Sequence, residues 1–317
     1  MWPYCSIAPV FLQLFPKRYN SNYCSKSHLL GRVRCSGVKS LPDNTSDDPS
    51  RLAADLVLFF LTAYAISWIF WSCAILLHLS VAPRQSWLGR SLYFAGIQGP
   101  FLAGIALSWA RGRVGGVRSF LGRIVRLPFN PTWPFIAVAI VPLIMLASLA
   151  LAVVLGGATI PHPLLIRPSM GWSGLLVGQL LIMNGEEYGW RGYALPRMEK
   201  LGGTLGASLL LGVLWSLWHL PLFYITGSWQ RGSIWAYAAT VTAACVVQAA
   251  VFFRSNQSVL PAMLFHGSLN ASQFVLDLPE ASNRYLPWIW AVALPLAIAL
   301  LTKPLFRWPV QHTWRND

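Results

Sequence analysis

Long apolar stretches alternate with short polar segments along most of this chain. A transmembrane helix needs about 20 consecutive, mostly apolar residues, and eight stretches reach or approach that length. They cover residues 56–79, 92–110, 134–160, 172–183, 205–225, 233–253, 258–276 and 285–302. The pattern therefore predicts an all-α fold: a polytopic membrane helix bundle with about eight transmembrane helices.

The composition supports a membrane protein. The mean hydropathy is +0.52, 55% of the residues are hydrophobic and 11% are charged, which lies outside the range of ordinary soluble domains. The net charge of +14 is compatible with nucleic-acid binding. However, the Lys and Arg residues lie between the apolar stretches, where they indicate which side of the membrane each connection faces. Membrane lipids are therefore expected partners, and nucleic acid is not.

The basic residues fall mainly in every second connection between apolar stretches. The largest group is the run RVGGVRSFLGRIVR at residues 113–126, and Arg191, Arg197 and Lys200 form another. Because Lys and Arg are enriched on the cytoplasmic side, this asymmetry predicts a multi-pass protein of the cell membrane with cytoplasmic termini. The 113–126 run is predicted to be a basic amphipathic segment at the cytoplasmic surface.

The first 50 residues differ from the rest of the chain. They are basic and rich in Ser, and they contain no acidic residue before Asp43. We expect residues 1–50 to be a disordered or cleaved extension, residues 51–305 to be the transmembrane domain, and residues 306–317 to be a short C-terminal tail. The extension is either a dispensable tail or a transit peptide, and a transit peptide would place the protein in an organelle membrane.

The cysteines indicate neither a disulfide framework nor a zinc motif. Cys5, Cys24 and Cys35 lie in the N-terminal extension with a spacing that matches no zinc pattern. Cys73 and Cys245 lie in apolar stretches, where they are predicted to be small packing residues.

Acidic residues are rare inside the apolar region, where a charged side chain is costly. Between residues 56 and 276 the acidic residues are Glu186, Glu187 and Glu199, and the first two are adjacent in the segment MNGEEYGWRGY. Arg191 follows Glu187 by four positions, so on a helix the two side chains share one face and can form an ion pair. Glu186 points about 100° away and has no such partner on its own helix.

Two histidines and one asparagine complete a candidate polar cluster. His219 and His266 lie within apolar stretches, and Asn270 follows His266 by four positions, which places those two side chains on one helix face. The spacing therefore predicts that Glu186, His219, His266 and Asn270 form one polar cluster inside the bundle. Trp215 and Trp218 are predicted to be packing residues or interfacial anchors.

Three motifs in this region resemble those of the CPBP family of intramembrane proteases. This family includes the type II CAAX prenyl endopeptidases and bacterial proteins linked to bacteriocin self-immunity (the Abi family). The motifs are EEYGWRG at residues 186–192, WSLWH at residues 215–219 and HGSLN at residues 266–270. The resemblance covers about residues 56–302 and implies an eight-helix membrane bundle.

The resemblance also implies roles for the residues of the cluster. It makes Glu186 the catalytic carboxylate, His219 its partner, and His266 with Asn270 the second half of the site. Trp215 stands where the prenyl-processing members usually carry Phe, which resembles the bacterial branch and leaves open whether the substrate is prenylated.

Peptide hydrolysis requires an activated water and stabilisation of a tetrahedral oxyanion. Glu186 and His219 can activate the water, and His266 and Asn270 can donate hydrogen bonds to the oxyanion. A metalloprotease is the alternative, with one divalent ion such as Zn²⁺ held by Glu186, His219 and His266 and with water as the fourth ligand. The chain contains no HExxH motif, so both mechanisms remain open.

The sequence thus predicts an intramembrane endopeptidase that cleaves a membrane-associated peptide or protein, such as a membrane-associated C-terminus. One alternative is a proteolytically inactive immunity or scaffold protein with the same helices. Another is a proton-coupled transporter that uses Glu186 and the histidines as a relay. Such a transporter would be expected to show two pseudo-symmetric halves, and the sequence shows no internal repeat.

The charge asymmetry makes a testable prediction about topology. A reporter that is active only in the cytoplasm is expected to be active when fused near Gly115 or at either terminus. The same reporter fused near Arg167 is the matched control and is expected to be inactive. Activity near Gly115 of a reporter that works only outside the cytoplasm would overturn the assigned orientation.

Overall fold

The structure, a computed structural model, is all-helical. It describes residues 48–276 except 83–84, 125–129, 166–170, 229 and 231–232, together with a few positions between 289 and 298. Within these residues there is no strand, and Leu165 and Leu276 form an isolated antiparallel bridge. The all-α prediction is confirmed. Residues 1–47 of the predicted N-terminal extension, the C-terminal tail and most of the apolar stretch 285–302 lie outside the described residues.

The described helices follow one another along the chain in this order. They are α1 (Pro49–Leu76), α2 (Trp87–Ile97), α3 (Gly99–Ile124), α4 (Thr132–Val154), α5 (Gly171–Gly189), a π-helix (Trp190–Ala194), α6 (Leu195–Trp218), a 3₁₀-helix (Leu220–Tyr224), α7 (Ile234–Arg254) and α8 (Val259–Val275).

The predicted number of transmembrane helices is not confirmed. Within the described residues, four helical segments are long and apolar enough to cross a membrane: Pro49–Leu76, Thr132–Val154, Gly171–Tyr224 and Ile234–Arg254. The bent pair α2 and α3 makes a fifth if it forms one span. The segment Gly171–Tyr224 is itself interrupted, because Gly203 has a φ of 70° and a ψ of 169°.

The stretch 92–110, predicted as a single helix, is divided between α2 and α3. The chain bends by 43° between these helices. Pro100 lies at the start of α3, where its missing N–H is tolerated, whereas inside a continuous helix it would remove a hydrogen bond and clash with the preceding turn.

The outward surface of the bundle is apolar. Leu61, Leu143, Val154 and Trp235 are 59%, 62%, 80% and 84% exposed, respectively. A soluble monomer rarely exposes so many large apolar side chains, whereas lipid tails solvate them without cost. The exposed side chains therefore fit a protein embedded in a bilayer.

Helix α7 belongs to both hydrophobic clusters of the described region. Cys245, Ala249 and Phe252 pack in a cluster built largely from α1, α2, α3 and α6. Val246 and Val247 pack in a second cluster with residues of α4 and α8. The central position of α7 places its inward-facing side chains between the two halves of the bundle.

The end of α5 is fixed by a close helix crossing and by aromatic packing. A Cβ atom added to Gly189 would lie 2.4 Å from the backbone of Pro100, so only glycine allows α3 to approach α5 this closely. In the π-helix that follows, the ring of Trp190 stacks on Phe60 and the ring of Tyr193 stacks on Phe59, with centroids 5.8 Å and 4.9 Å apart. These contacts hold the acidic end of α5 against α1 and α3.

Candidate active site

The three sequence motifs meet around one cavity. Its volume is about 460 Å³, and its lining includes Glu186 from α5, His219 at the end of α6, and His266 and Asn270 from α8. Glu186, His219 and His266 are 3%, 6% and 4% exposed, respectively. The structure therefore places all four residues of the predicted cluster on one cavity, although they come from three separate helices.

Glu186 is held by an uncharged donor. Its Oε2 accepts a hydrogen bond from the indole N–H of Trp215, with an Nε1–Oε2 distance of 2.7 Å. The nearby ion pairs are formed by the neighbouring Glu187 instead. Glu186 therefore faces the cavity as a buried carboxylate with a neutral anchor.

His219 is oriented by the backbone. Its Nδ1 lies 2.7 Å from the carbonyl oxygen of Trp215. Because a carbonyl oxygen can only accept a hydrogen bond, Nδ1 carries the proton, and Nε2 of the neutral ring keeps its lone pair. The rings of Trp218 and Tyr237 contact the imidazole edge to face, at centroid distances of 4.8 Å and 5.5 Å, and fix its plane.

Glu187 bridges two other groups. Its Oε1 accepts a hydrogen bond from Nη1 of Arg191 at 3.0 Å and another from Nδ1 of His266 at 2.8 Å. The side chains of Glu187 and Arg191 are fully buried, so the ion pair expected from their spacing is present in the structure. The contact with His266 joins residues 79 positions apart in the chain and was not predicted.

Helix α7 completes the environment of Arg191. Nη2 of Arg191 donates to the side-chain oxygen of Gln248 and lies 3.4 Å from the sulfur of Cys245. The amide nitrogen of Gln248 donates to the carbonyl oxygen of Ala262 on α8 at 2.7 Å. Sequence reasoning missed Gln248, although a lone amide in the apolar run AACVVQAAV is costly in a membrane and could have identified it.

Trp215 is the centre of the site. Its ring lies 5.3 Å from the ring of His266 and 5.7 Å from that of His219, between centroids. The guanidinium of Arg191 lies 4.6 Å from its centroid, in a cation–π contact. Trp215 was predicted to be a packing residue or interfacial anchor. It is buried and packed, and it also donates a hydrogen bond to Glu186, which the sequence alone did not indicate.

Asn270 lies at the cavity wall and is partly exposed. It follows His266 by one helical turn, so both side chains are presented from the same face of α8. Within the described residues, the carboxamide of Asn270 makes no hydrogen bond to protein, which leaves its N–H groups available for an oxygen in the cavity.

The residues in this arrangement do not fit a three-ligand zinc site. Within the described part of the chain, no three His, Cys, Asp or Glu side chains are placed so that they could hold a metal ion.

Comparison with known proteins supports the family suggested by the motifs. Residues 168–272 match the family described as type II CAAX prenyl endopeptidase Rce1-like, and this region contains the three motifs and the cavity residues Glu186, His219, His266 and Asn270. A bundle of apolar helices with polar residues buried at its centre agrees with a family of integral membrane proteins.

A sequence match to a curated relative supports the same family. The chain is 24% identical over 233 residues to CAAX prenyl protease 2 from Methanococcus maripaludis, and the alignment covers 70% of this chain and 85% of the relative. Together the two matches support the CPBP and CAAX protease family that the motifs resemble.

The buried ion pair leads to a prediction about stability. In the Glu187→Gln variant, Arg191 loses its compensating charge in a low-dielectric setting, and breaking a buried pair costs about 3–5 kcal/mol. We expect a clearly lower midpoint of thermal unfolding in detergent. Glu199→Gln, which removes a partly exposed carboxylate on α6, is the matched control and should unfold near the wild-type temperature. Equal midpoints for Glu187→Gln and wild type would contradict a structural role for the pair.

Proposed function

We propose that this protein is an intramembrane endopeptidase that hydrolyses peptide bonds of membrane-associated substrates. Glu186 and His219 activate a water molecule, and His266 and Asn270 stabilise the oxyanion. The observation that carries the proposal is Glu186 itself, a buried carboxylate that faces a cavity shared with two histidines and is anchored by a neutral indole.

Glu186 acts as the general base. The indole of Trp215 occupies Oε2, and Oε1 is the oxygen left to accept a proton from water. A carboxylate shielded from solvent is a stronger base than one in water. When water attacks the carbonyl carbon of the scissile bond, Glu186 takes the proton and later returns it to the leaving amine.

His219 holds the attacking water. Because Nδ1 donates to the carbonyl oxygen of Trp215, Nε2 can accept the second hydrogen bond of the water and align its lone pair with the substrate carbonyl. Trp215 thus positions both partners, since its side chain binds Glu186 and its backbone binds His219. No serine or cysteine nucleophile is required.

His266 and Asn270 face the developing negative charge. The hydrogen bond from Nδ1 of His266 to Glu187 fixes the imidazole ring, so that Nε2 remains for the cavity. A protonated His266 and the Asn270 amide then supply two donors for the oxyanion. Glu187 and Arg191 contribute by holding His266 in place, and they do not touch the substrate.

The family match and the cavity support a proposed substrate class. The relative's name is CAAX prenyl protease 2, which points to a membrane-associated C-terminal segment as substrate for this chain. The lining combines aromatic residues such as Tyr237 and Trp218 with amides such as Gln230 and Gln273. This mixture suits an extended peptide that has both apolar side chains and backbone groups.

We place the protein in the cell membrane, with its termini in the cytoplasm.

Substitution of Glu186 tests the proposal directly. Glu186→Gln keeps the shape of the side chain and can still accept the indole hydrogen bond, but an amide cannot take the proton from water. We expect normal folding and a loss of cleavage of at least about a hundredfold, measured with a peptide library in detergent. The Glu199→Gln variant controls for loss of a carboxylate elsewhere. A Glu186→Gln enzyme that retains activity would contradict the assignment.

The same assay separates the remaining alternatives. We expect wild-type cleavage to survive incubation with a strong chelator, because the proposed steps use no metal. Loss of activity on chelation, with recovery on addition of zinc, would contradict the metal-free mechanism and support the metalloprotease. A wild-type protein that cleaves no peptide in the library would favour the proteolytically inactive immunity or scaffold protein.

Trp215→Phe tests the positioning role of the indole. The variant removes the hydrogen bond to Glu186 but keeps an aromatic ring and the backbone carbonyl that binds His219. A hydrogen bond to a charged group contributes about 1.5–3 kcal/mol, so we expect kcat to fall about tenfold to a hundredfold with little change in KM.

Trp71→Phe is the matched control for this substitution. Trp71 lies outside the cavity lining, and its indole N–H donates to the carbonyl oxygen of Tyr93 at 3.1 Å, so the same substitution removes a buried indole hydrogen bond that does not involve Glu186. We expect lower stability without a comparable fall in kcat. Equal falls in kcat for both variants would indicate that the indole of Trp215 serves packing alone.

A further inference from the structure

A second cavity lies apart from the proposed catalytic one. Its volume is about 180 Å³, and its lining includes Ser108, Arg111, Gly112 and Ser119 from α3, Gly192 from the π-helix and Arg197 from α6. The two cavities have no lining residue in common. The steps derived for peptide hydrolysis therefore give this second cavity no role.

A break in α3 shapes the cavity. Arg113 has a φ of 50° and a ψ of −137°, which divides α3 into two limbs. The limbs meet closely, because a Cβ atom added to Gly116 would lie 2.1 Å from the carbonyl oxygen of Ser108. Gly192 and Arg197 line the cavity from the neighbouring segment. The cavity is thus part of the helix packing, not a gap between mobile loops.

Two arginines are held at this cavity. The guanidinium of Arg111 donates from Nε to Oδ1 of Asp55 at 2.9 Å, and its side chain is 56% exposed. The guanidinium of Arg197 stacks on the ring of Tyr193 at 3.7 Å from the centroid and donates from Nη1 to the Tyr193 carbonyl oxygen at 2.8 Å. Asp55 compensates one of these two positive charges, so the pair of arginines leaves the cavity net positive.

The ligand that fits this chemistry is a phosphate group. A guanidinium presents several N–H donors in a planar fork that matches the oxygens of a phosphate, and both arginines are already ordered by their other contacts. The hydroxyl groups of Ser108 and Ser119 at the lining can add neutral donors.

The surroundings favour a phosphate that is attached to a lipid. Trp109, Val114 and Leu121 on α3 are 47%, 67% and 39% exposed, respectively. The helix that lines the cavity therefore also carries exposed apolar side chains. Arg113 and Arg118 on the same helix are also exposed. Basic pockets between helices at the cytoplasmic end of a membrane domain are suited to acidic headgroups.

We propose that the cavity between the two limbs of α3 and Arg197 binds the phosphate of an anionic lipid headgroup. Arg111 and Arg197 contact the phosphate oxygens, and the acyl chains lie along the exposed apolar side chains of α3. The part of α3 that lies within the run at residues 113–126 then lines a defined lipid site through Gly116, Ser119 and Phe120.

A titration of the full-length protein in neutral detergent tests this site. The probes are a short-chain phosphatidylglycerol, a phosphatidylcholine of the same chain length and inorganic phosphate. Binding is measured by native mass spectrometry and by the rise in the midpoint of thermal unfolding. We expect phosphatidylglycerol to bind and stabilise the wild type, and the other two probes to do so at least about fivefold more weakly.

Four variants locate the binding. Arg197→Gln removes one cation, and the double variant Asp55→Asn with Arg111→Gln removes the other without leaving a lone carboxylate. Each should weaken phosphatidylglycerol binding about fivefold or more. Gly112→Leu keeps every charge and adds a bulky side chain at a lining position, so it should weaken binding as well; an added Cβ there meets no atom within 4 Å, so the variant should fold normally. Arg118→Gln, which removes an exposed arginine outside the lining, is the matched control and should bind as the wild type does.

The outcomes are distinct. Weaker binding in the three cavity variants with normal binding in Arg118→Gln supports the site. An equal loss in Arg118→Gln would show a general surface-charge effect and would overturn it, as would a Gly112→Leu variant that binds normally. Inorganic phosphate that stabilises as strongly as phosphatidylglycerol would overturn the lipid as the source of the phosphate. Because the readout is binding, the result is independent of peptidase activity.

Discussion

The carboxylate of Glu187 is the point on which the polar interior depends. A full negative charge inside a membrane protein is costly unless it is compensated, and here Oε1 is shared between Arg191 and His266. Arg191 in turn reaches Gln248 on α7, and Gln248 reaches the backbone of α8. One buried charge therefore connects α5, the π-helix, α7 and α8, and the cavity lies beside this connection.

The two adjacent glutamates occupy different environments because of helix geometry. Successive residues point about 100° apart, so Glu187 turns toward the cation while Glu186 turns toward the cavity and the indole of Trp215. The first is a fixed charge of the structure, and the second is the group proposed to exchange a proton. A π-helix begins at Trp190, three positions after Glu187, and such insertions are frequent at functional sites.

Local features of this fold could be predicted from the sequence, whereas contacts between distant segments could not. The all-α class followed from the lengths of the apolar stretches, and the Glu187–Arg191 contact followed from a spacing of four residues on one helix. The contact between His266 and Glu187 joins two separate helices, and no local spacing encodes it. The division at Pro100 could have been predicted from the GP dipeptide, but the break at Arg113 occurs at a residue type that rarely adopts a positive φ.

Trp215 contributes to the site through two chemically separate parts. Its side chain anchors Glu186, whereas its main-chain carbonyl orients His219. Every amino acid carries that carbonyl, so mutation at this position cannot remove the group that sets the tautomer of His219. Replacement of residue 215 can therefore change the anchoring of the carboxylate and the ring contacts around it, while the hydrogen bond that orients the histidine is inherited with the helix backbone.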